Sequence, residues 1–304
     1  MRSGLSGWMM GCALVACGDP SVPVDSGDGT DVADSRFDVS TWPATVGGNE
    51  RPALVYWPQE WDGTSLLPVV VMLHGYGATG IVQDIYLQLR PRIDTYGFIY
   101  VIPEGLRDPS GAQYWNANPY CCDFYDSGVD DVGYLMGLID ELEASMPVDP
   151  SRVLFTGHSN GGYMSHRLAC EHPDRIAGIA SLAGLAQPYG TDCDVHPVSV
   201  LQMHGDQDDA VPYTDSTFLP GAQASVETYL ERLGCDMSSE ELPPRDYAVD
   251  VKGEDTQVER WAGCGGAMVG ELWTLQGSGH VPVFNESYRD DLVSWLMEQR
   301  RAER

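Results

Sequence analysis

Basic residues are scarce in this chain. Lys and Arg number 17 against 45 Asp and Glu, for a formal net charge of −28. Nucleic-acid binding depends on cations that displace condensed counterions, and electrostatic adhesion to anionic lipid needs the same sign. No nucleic-acid partner is expected, and the surface reads as soluble and self-repelling. Long apolar runs are also missing. The stretch from Leu5 to Ala16 is too short to cross a bilayer as a stable helix. No two cysteines show the two-residue gap of zinc ligands, and Asp25, Asp28 and Asp31 miss the spacing of a calcium loop, so no metal site is expected. Internal repeats are absent as well. What remains is an ordinary hydrophobic content, 43%, over 304 residues. That suits one large α/β domain with a sizeable core.

The N-terminus reads as a targeting segment. Arg2 supplies a small positive region ahead of the apolar run, which ends Leu14-Val15-Ala16-Cys17. This resembles the lipobox of bacterial lipoproteins, in which the cysteine becomes the lipidated first residue after cleavage. Residues 1–16 are therefore expected to be a signal peptide of lipoprotein type, with Cys17 as the lipidation site. Residues 17–36, rich in Asp, Gly, Ser and Pro, have little to bury and read as a disordered acidic tether. Residues 37–304 are left as the catalytic domain. The chain is expected to be exported, as a cell-envelope lipoprotein or, without lipid on Cys17, as a secreted protein. Its membrane contact would then run only through the N-terminal lipid anchor.

With Cys12 in the signal and Cys17 lipidated, Cys121, Cys122, Cys170, Cys193, Cys235 and Cys264 remain. An even set in an oxidising compartment predicts three disulfides, though six cysteines permit about fifteen pairings. Cys235 is expected to pair with Cys264, since both flank one apparent insertion. Cys121 and Cys122 are expected to reach Cys170 and Cys193, in either order.

Apolar runs alternate with helical patterns along the domain. Strands are predicted at Ala53–Trp57, Pro68–Leu73, Gly97–Pro103, Arg152–Thr156, Ile176–Leu182, Val198–Met203 and Leu272–Leu275. Helices are predicted from Asp131, as N-cap, towards Ser145, then at Gly161–Cys170, Gln223–Leu233 and Tyr288–Arg300. Residues 242–264 interrupt the pattern as a hairpin insertion. Such alternation predicts an α/β fold with a mostly parallel sheet and helices on both faces.

Gly157-His158-Ser159-Asn160-Gly161 matches G-x-S-x-G between a predicted strand and a predicted helix, the context of a nucleophile elbow. Ser159 is the candidate nucleophile, and a serine hydroxyl needs a base. In the α/β-hydrolase fold the order is serine, acid, histidine. His280 follows Gly277-Ser278-Gly279 just after the last predicted strand and is the candidate base. The acid should follow the strand ending at Met203, where Asp206, Asp208 and Asp209 cluster. An acid three residues before Val211-Pro212 fits the usual spacing of this loop, which selects Asp208 over Asp206. The acid holds the histidine tautomer and stabilises the imidazolium. Two N–H donors are needed for the oxyanion. One is expected from the backbone of Asn160. The other is expected from Tyr76 in His74-Gly75-Tyr76-Gly77, whose glycines allow close approach to substrate.

These residues resemble the secreted esterases grouped with polyhydroxybutyrate depolymerases and feruloyl esterases. The resemblance covers roughly Arg51 to His280. It rests on Leu73-His74-Gly75, on Trp115 with Cys121-Cys122, and on Val129-Asp130-Asp131-Val132-Gly133-Tyr134-Leu135. It continues through Gly157 to Gly162, Leu168-Ala169-Cys170, and His204 to Tyr213. It implies the α/β-hydrolase fold, the same Ser159, Asp208 and His280, and carboxylic-ester substrates, often polymeric or plant-derived. Tyr76 and Trp115 are candidates for substrate contact, Trp115 within an aromatic wall with Tyr114 and Tyr120. Many relatives carry a Trp-Pro pair soon after the catalytic histidine, where this chain has Val281-Pro282-Val283-Phe284. The expected activity is two-step ester hydrolysis through an acyl-enzyme, which needs no cofactor. Candidate substrates are polyhydroxyalkanoate, feruloyl or acetyl-polysaccharide esters. A peptidase or thioesterase on the same fold, or a surface lipoprotein that binds without turnover, are the alternatives.

Overall fold

The computed structural model describes residues 38–263 and 268–301. The signal peptide, Cys17 and the tether, all within residues 1–36, lie outside the described residues, as does Cys264. All described residues fall in a single compact unit.

The sheet opens with β1 (Thr45–Val46), β2 (Ala53–Tyr56), β3 (Leu67–Leu73) and β4 (Ile99–Ile102). Helix α1 (Gly80–Leu87) and the single turn α2 (Ile93–Tyr96) lie between β3 and β4. A small two-stranded ribbon, β5 (Leu106–Arg107) with β6 (Gln113–Tyr114), follows. Next come α3 (Asp131–Ser145), β7 (Val148–His158), α4 (Asn160–Glu171), β8 (Gly178–Leu182), β9 (Ser199–Gly205) and α5 (Ala222–Arg232). The chain closes with β10 (Glu240–Arg245), β11 (Thr256–Trp261), β12 (Gly270–Leu275) and α6 (Glu286–Glu298).

Strand order is β1-β2-β4-β3-β7-β8-β9-β12-β11-β10. The six central strands run parallel, and antiparallel pairs finish each side. The expected hairpin insertion is β10 with β11, which extends the sheet beyond β12. Register between them shifts after Leu242, where Pro243 and Pro244 lack the N–H a ladder needs.

β3 and β4 read as continuous apolar runs because both faces of the sheet are covered there. Alternate side chains of β3 enter two separate cores. Val69, Val71 and Leu73 pack with residues of α3, α4 and α5. Val70 and Met72 pack with Leu87 of α1, Ile93 of α2 and Leu292 and Leu296 of α6. Burying a side chain of this size contributes about 1.5–3 kcal/mol.

The N-cap of α3 is Asp130, not Asp131. The Asp130 carboxylate accepts the Gly133 N–H at 2.7 Å. Asp131 sits one residue later and fully buried, paired with Arg51 at 2.7 Å and accepting the Asn116 N–H. Adjacent aspartates look alike in sequence, and the long-range Arg51 partner separates them. Among the described residues no helix is long and apolar enough to cross a membrane.

Candidate active site

β7 ends at His158 and α4 begins at Asn160, so the reversal is made by Ser159 alone, at φ 54° and ψ −117°. A non-glycine residue in such backbone costs about 1–3 kcal/mol and persists only where its surroundings hold it. Here the Ser159 N–H donates to the Leu182 carbonyl at 2.7 Å, and the Ser159 carbonyl accepts the Tyr163 N–H at 3.0 Å. The flanking glycines are a packing requirement. A Cβ on Gly157 would lie 2.4 Å from the Gly161 carbonyl carbon, and one on Gly161 would lie 2.3 Å from the Leu73 oxygen. The G-x-S-x-G spacing thus encodes a turn with no room beside it.

β9 and β12 are parallel neighbours paired to their last residues, Gly205 with Leu275. Their following loops therefore lie side by side at the carboxyl ends of the strands, where open α/β sheets hold ligands. The loops are stitched together. Gln207 N–H donates to Ser278 O at 3.0 Å, and Gly277 N–H donates to the Asp206 carboxylate at 2.7 Å. His280 Nδ1 donates to Asp208 Oδ2 at 2.7 Å. The Asp208 side chain is fully buried, and its Oδ1 accepts the Ala210 and Val211 N–H groups at 2.8 Å each. Burial pushes this carboxyl up, but hydrogen bonds from His204, His280 and Val211 outweigh it and hold Asp208 well below the usual carboxylate range. With Nδ1–H committed to the carboxylate, the His280 lone pair is on Nε2. Of the three clustered aspartates, Asp208 meets His280, Asp206 caps the neighbouring loop, and Asp209 is exposed.

The loop after β3 packs directly on the elbow. A Cβ on Gly75 would lie 3.6 Å from Ser159 Cβ. The Gly75 carbonyl accepts from His74 Nδ1 at 2.8 Å and from the Ala78 N–H at 3.1 Å. Because a peptide group is planar and trans, fixing that carbonyl also fixes the opposed Tyr76 N–H. Asn160 opens α4, so its N–H has no intrahelical acceptor and lies at the positive end of the helix dipole. Its side chain is held by Trp115, with Oδ1 accepting the Trp115 N–H at 2.7 Å and Nδ2 donating to the Trp115 carbonyl at 2.8 Å.

A cavity of about 240 Å³ opens over Ser159 and His280. Its walls include the rings of Tyr76, Tyr120, Phe124 and Tyr163, the Cys121 and Cys122 sulfurs, and Ala210 and Val211. Tyr76 is fixed by its hydroxyl, which donates to Asp108 at 2.6 Å, and by an edge contact with Phe124. A larger groove of about 480 Å³, lined by Tyr213, Asp215, Gln223 and Glu227, contains neither Ser159 nor His280.

Two expectations are corrected. Trp115 does not face the cavity. It is fully buried, with its indole N–H donating to the His74 carbonyl at 3.0 Å, and braces the elbow and the Tyr76 loop from behind. Tyr114 is likewise buried, whereas Tyr120 does line the cavity. The cysteine pairing also differs. Cys121 bonds to its neighbour Cys122, and Cys170 bonds to Cys193. Cys170 ends α4 close to the loop that carries Cys193, which leaves the adjacent pair to each other. Cys235 is disulfide-bonded, while Cys264, its expected partner, lies outside the described residues.

The histidine inside the elbow is also tied to the His280 loop. His158 Nε2 donates to the backbone carbonyl of His280 at 2.8 Å, with ring centroids 4.9 Å apart. Burial lowers its pKa to about 4, so it is neutral at pH 7. The contact spans 122 residues of sequence, and no local pattern announces it. Gln202 and His204 give a fainter signal: two larger polar residues at strand period within a buried strand.

Together the central parallel sheet, the elbow after β7 and the paired loops after β9 and β12 define an α/β-hydrolase. The chain belongs to the phospholipase/carboxylesterase family, whose model matches residues 64–219, half of its length. It is similar to feruloyl esterase B of Piromyces equi, 27% identical over 76% of this chain and 42% of that protein. It is similar also to poly(3-hydroxybutyrate) depolymerase of Ralstonia pickettii, 28% identical over 62% and 38%. Feruloyl esterase D of Neurospora crassa is 24% identical over 83% and 81%. The chain thus spans less than half the length of the first two relatives. Among solved structures, acetyl xylan esterase from Aspergillus awamori matches with a TM-score of 0.58 at 16% identity, over 83% of this chain and 98% of that one. A ferulic acid esterase from Anaeromyces mucronatus, in complex with ferulic acid, matches at 0.52 and 16%, over 85% and 88%. These last two likenesses concern the fold.

Proposed function

We propose that the chain is an exported serine carboxylic-ester hydrolase. One observation carries the reading: a single cavity is bordered by the elbow serine and by a histidine whose Nδ1–H is held by a buried, ionised carboxylate. In this reading Ser159 Oγ attacks the ester carbonyl carbon while His280 Nε2 takes its proton. The Tyr76 and Asn160 N–H groups receive the oxyanion. His280 then returns the proton to the leaving alcohol, and the acyl group stays on Ser159. Water then attacks the acyl carbon while giving a proton to His280; the acyl–Oγ bond breaks, His280 returns that proton to Ser159 Oγ, and the acid leaves.

The cavity suits a compact, uncharged acyl group. It is walled by four aromatic residues and a disulfide, and among the described residues no Lys or Arg lines it. Feruloyl, acetyl-polysaccharide and hydroxyalkanoate esters, the last as a polymer, fit that description. The names of the sequence relatives support the feruloyl and hydroxyalkanoate classes. In this reading Cys17 carries a lipid anchor at the bacterial cell envelope, or, without lipid on Cys17, the enzyme is secreted.

The test is turnover of short p-nitrophenyl esters by wild type and Ser159→Ala, alongside labelling by a fluorophosphonate probe. Loss of at least about 10³-fold in kcat and complete loss of labelling in the variant are expected. Equal rates would end the proposal.

A further inference from the structure

Behind Asp208, on the α4 and α5 face of the sheet, lies a continuous chain of buried polar side chains. Tyr229 Oη contacts His166 Nδ1 at 3.0 Å, and His166 Nε2 contacts Gln202 Oε1 at 3.0 Å. Gln202 Nε2 contacts His204 Nδ1 at 3.2 Å. His204 Nε2 contacts the Val211 carbonyl at 2.9 Å and Asp208 Oδ2 at 3.3 Å. His166, Gln202 and His204 are fully buried. Three elements contribute, α5, α4 and β9, and the chain ends on the carboxylate that holds His280.

One contact sets the direction of every proton. Gln202 Nε2 also lies 2.7 Å from the carbonyl of Gly184. A carbonyl only accepts, so the Gln202 nitrogen faces Gly184 and its oxygen faces His166. The amide then donates to His204 Nδ1, which must carry a lone pair, and the His204 proton is on Nε2. That proton is shared between the Val211 carbonyl and Asp208. On the other side, His166 donates from Nε2 to the Gln202 oxygen, and the single Tyr229 hydroxyl proton is shared between His166 Nδ1 at 3.0 Å and the His166 carbonyl at 3.3 Å. Burial lowers the pKa of His166 to about 4, in keeping with a neutral ring. If the amide were reversed, its oxygen would meet the Gly184 carbonyl, and His204 would turn a lone pair on both Val211 O and Asp208. In a fully buried site such contacts are costly.

We propose that Gln202 and His204 are positioning residues for the acid of the catalytic site: Gln202, oriented by the Gly184 carbonyl, fixes the His204 tautomer whose Nε2–H holds the Asp208 carboxylate in line with His280. The inference rests on the reading of Ser159, Asp208 and His280 as catalytic. It adds a source of order behind the acid. The two backbone N–H groups hold Oδ1, and His204 and His280 hold Oδ2, so the carboxylate plane is fixed from both ends before substrate arrives.

Two measurements test it. The first is tautomer assignment by ¹⁵N NMR of histidine-labelled wild type. His204 is expected as the neutral Nε2–H form, and a ring protonated at Nδ1 overturns the proposal with no mutation involved. The second uses Gln202→Glu and Gln202→Met. An ionised glutamate can only accept, and methionine keeps the volume but offers no N–H, so neither can direct His204. In both variants kcat on a p-nitrophenyl ester is expected to fall about 10- to 100-fold with KM within about twofold. The low-field resonance of the His280 Nδ1–H is expected to move. Unchanged kcat and an unmoved resonance in both variants would overturn the inference while leaving the esterase reading intact. Failure of wild type to take the fluorophosphonate label would instead overturn the esterase reading, and the tautomer measurement does not depend on it.

Discussion

Beside Ser159, His280 is held through Asp208, His204 and Gln202, and through the His158 hydrogen bond to its own carbonyl. Across the cavity, Tyr120 and Phe124 are 47% and 62% exposed, and their ring contacts are to Phe218 and Tyr76. One wall is a fully wired polar lattice and the other is a set of apolar surfaces. In the proposed reaction the wired wall carries the proton transfer, a step that tolerates little displacement. Acyl recognition by rings needs area and shape, which do not require each atom to be pinned.

The contrast is broken most severely at Asp208. Asp208→Asn leaves the shape intact but offers His280 an amide that can hold the wrong tautomer. We expect kcat to drop by about 10⁴-fold, read from initial rates on p-nitrophenyl butyrate. A drop below tenfold would mean that the wired wall is not the chemical one.

Next in size is the response to acid. Unfolded, His158 and His166 take up protons near their ordinary value of 6.5; folded, burial delays this to about 4. Between those values the unfolded chain binds more protons, so stability is retained above pH 6.5 and lost as the pH falls through the window. Each histidine is worth on the order of 3 kcal/mol across that span. Urea unfolding at a series of pH values should show the decline, and His166→Gln should flatten it by roughly 2–3 kcal/mol. An unchanged slope in the variant would show that the ring is protonated in the fold.

The smallest effect belongs to the apolar wall. Phe124→Ala should raise KM for aryl-acyl esters by about 3- to 10-fold, with kcat within about twofold and little change in Tm. A large loss of kcat there would erase the distinction between the two walls.

Much of this could be read from sequence because it is local or periodic. The strand from Pro68 to Leu73 announces itself as a buried apolar run, and the elbow by its glycines. The choice of Asp208 over Asp206 follows from its distance to Val211-Pro212, and the structure pairs Asp208 with His280. What escaped depends on contacts between distant segments. Trp115 is aromatic and close in sequence to cavity residues, but its side chain turns to the His74 carbonyl. Cys121 and Cys122 were assigned to other loops because the separation of those loops is invisible in sequence. The jobs of His158 and His204 depend on which strand ends lie together. Helix α1 was missed because Gly80–Leu87 is short and its exposed face carries Ile81, Val82 and Ile85, which hides the amphipathic signal.

The borders of the main sheet deserve a last consequence. At one, β1 is two residues long; at the other, β10 carries Glu240, Glu241, Pro243 and Pro244. A second copy of the chain that tried to extend the ladder would meet too short a template on one margin, and like charges with missing donors on the other. Among the described residues, these margins offer two copies that meet no ready route to fibre growth.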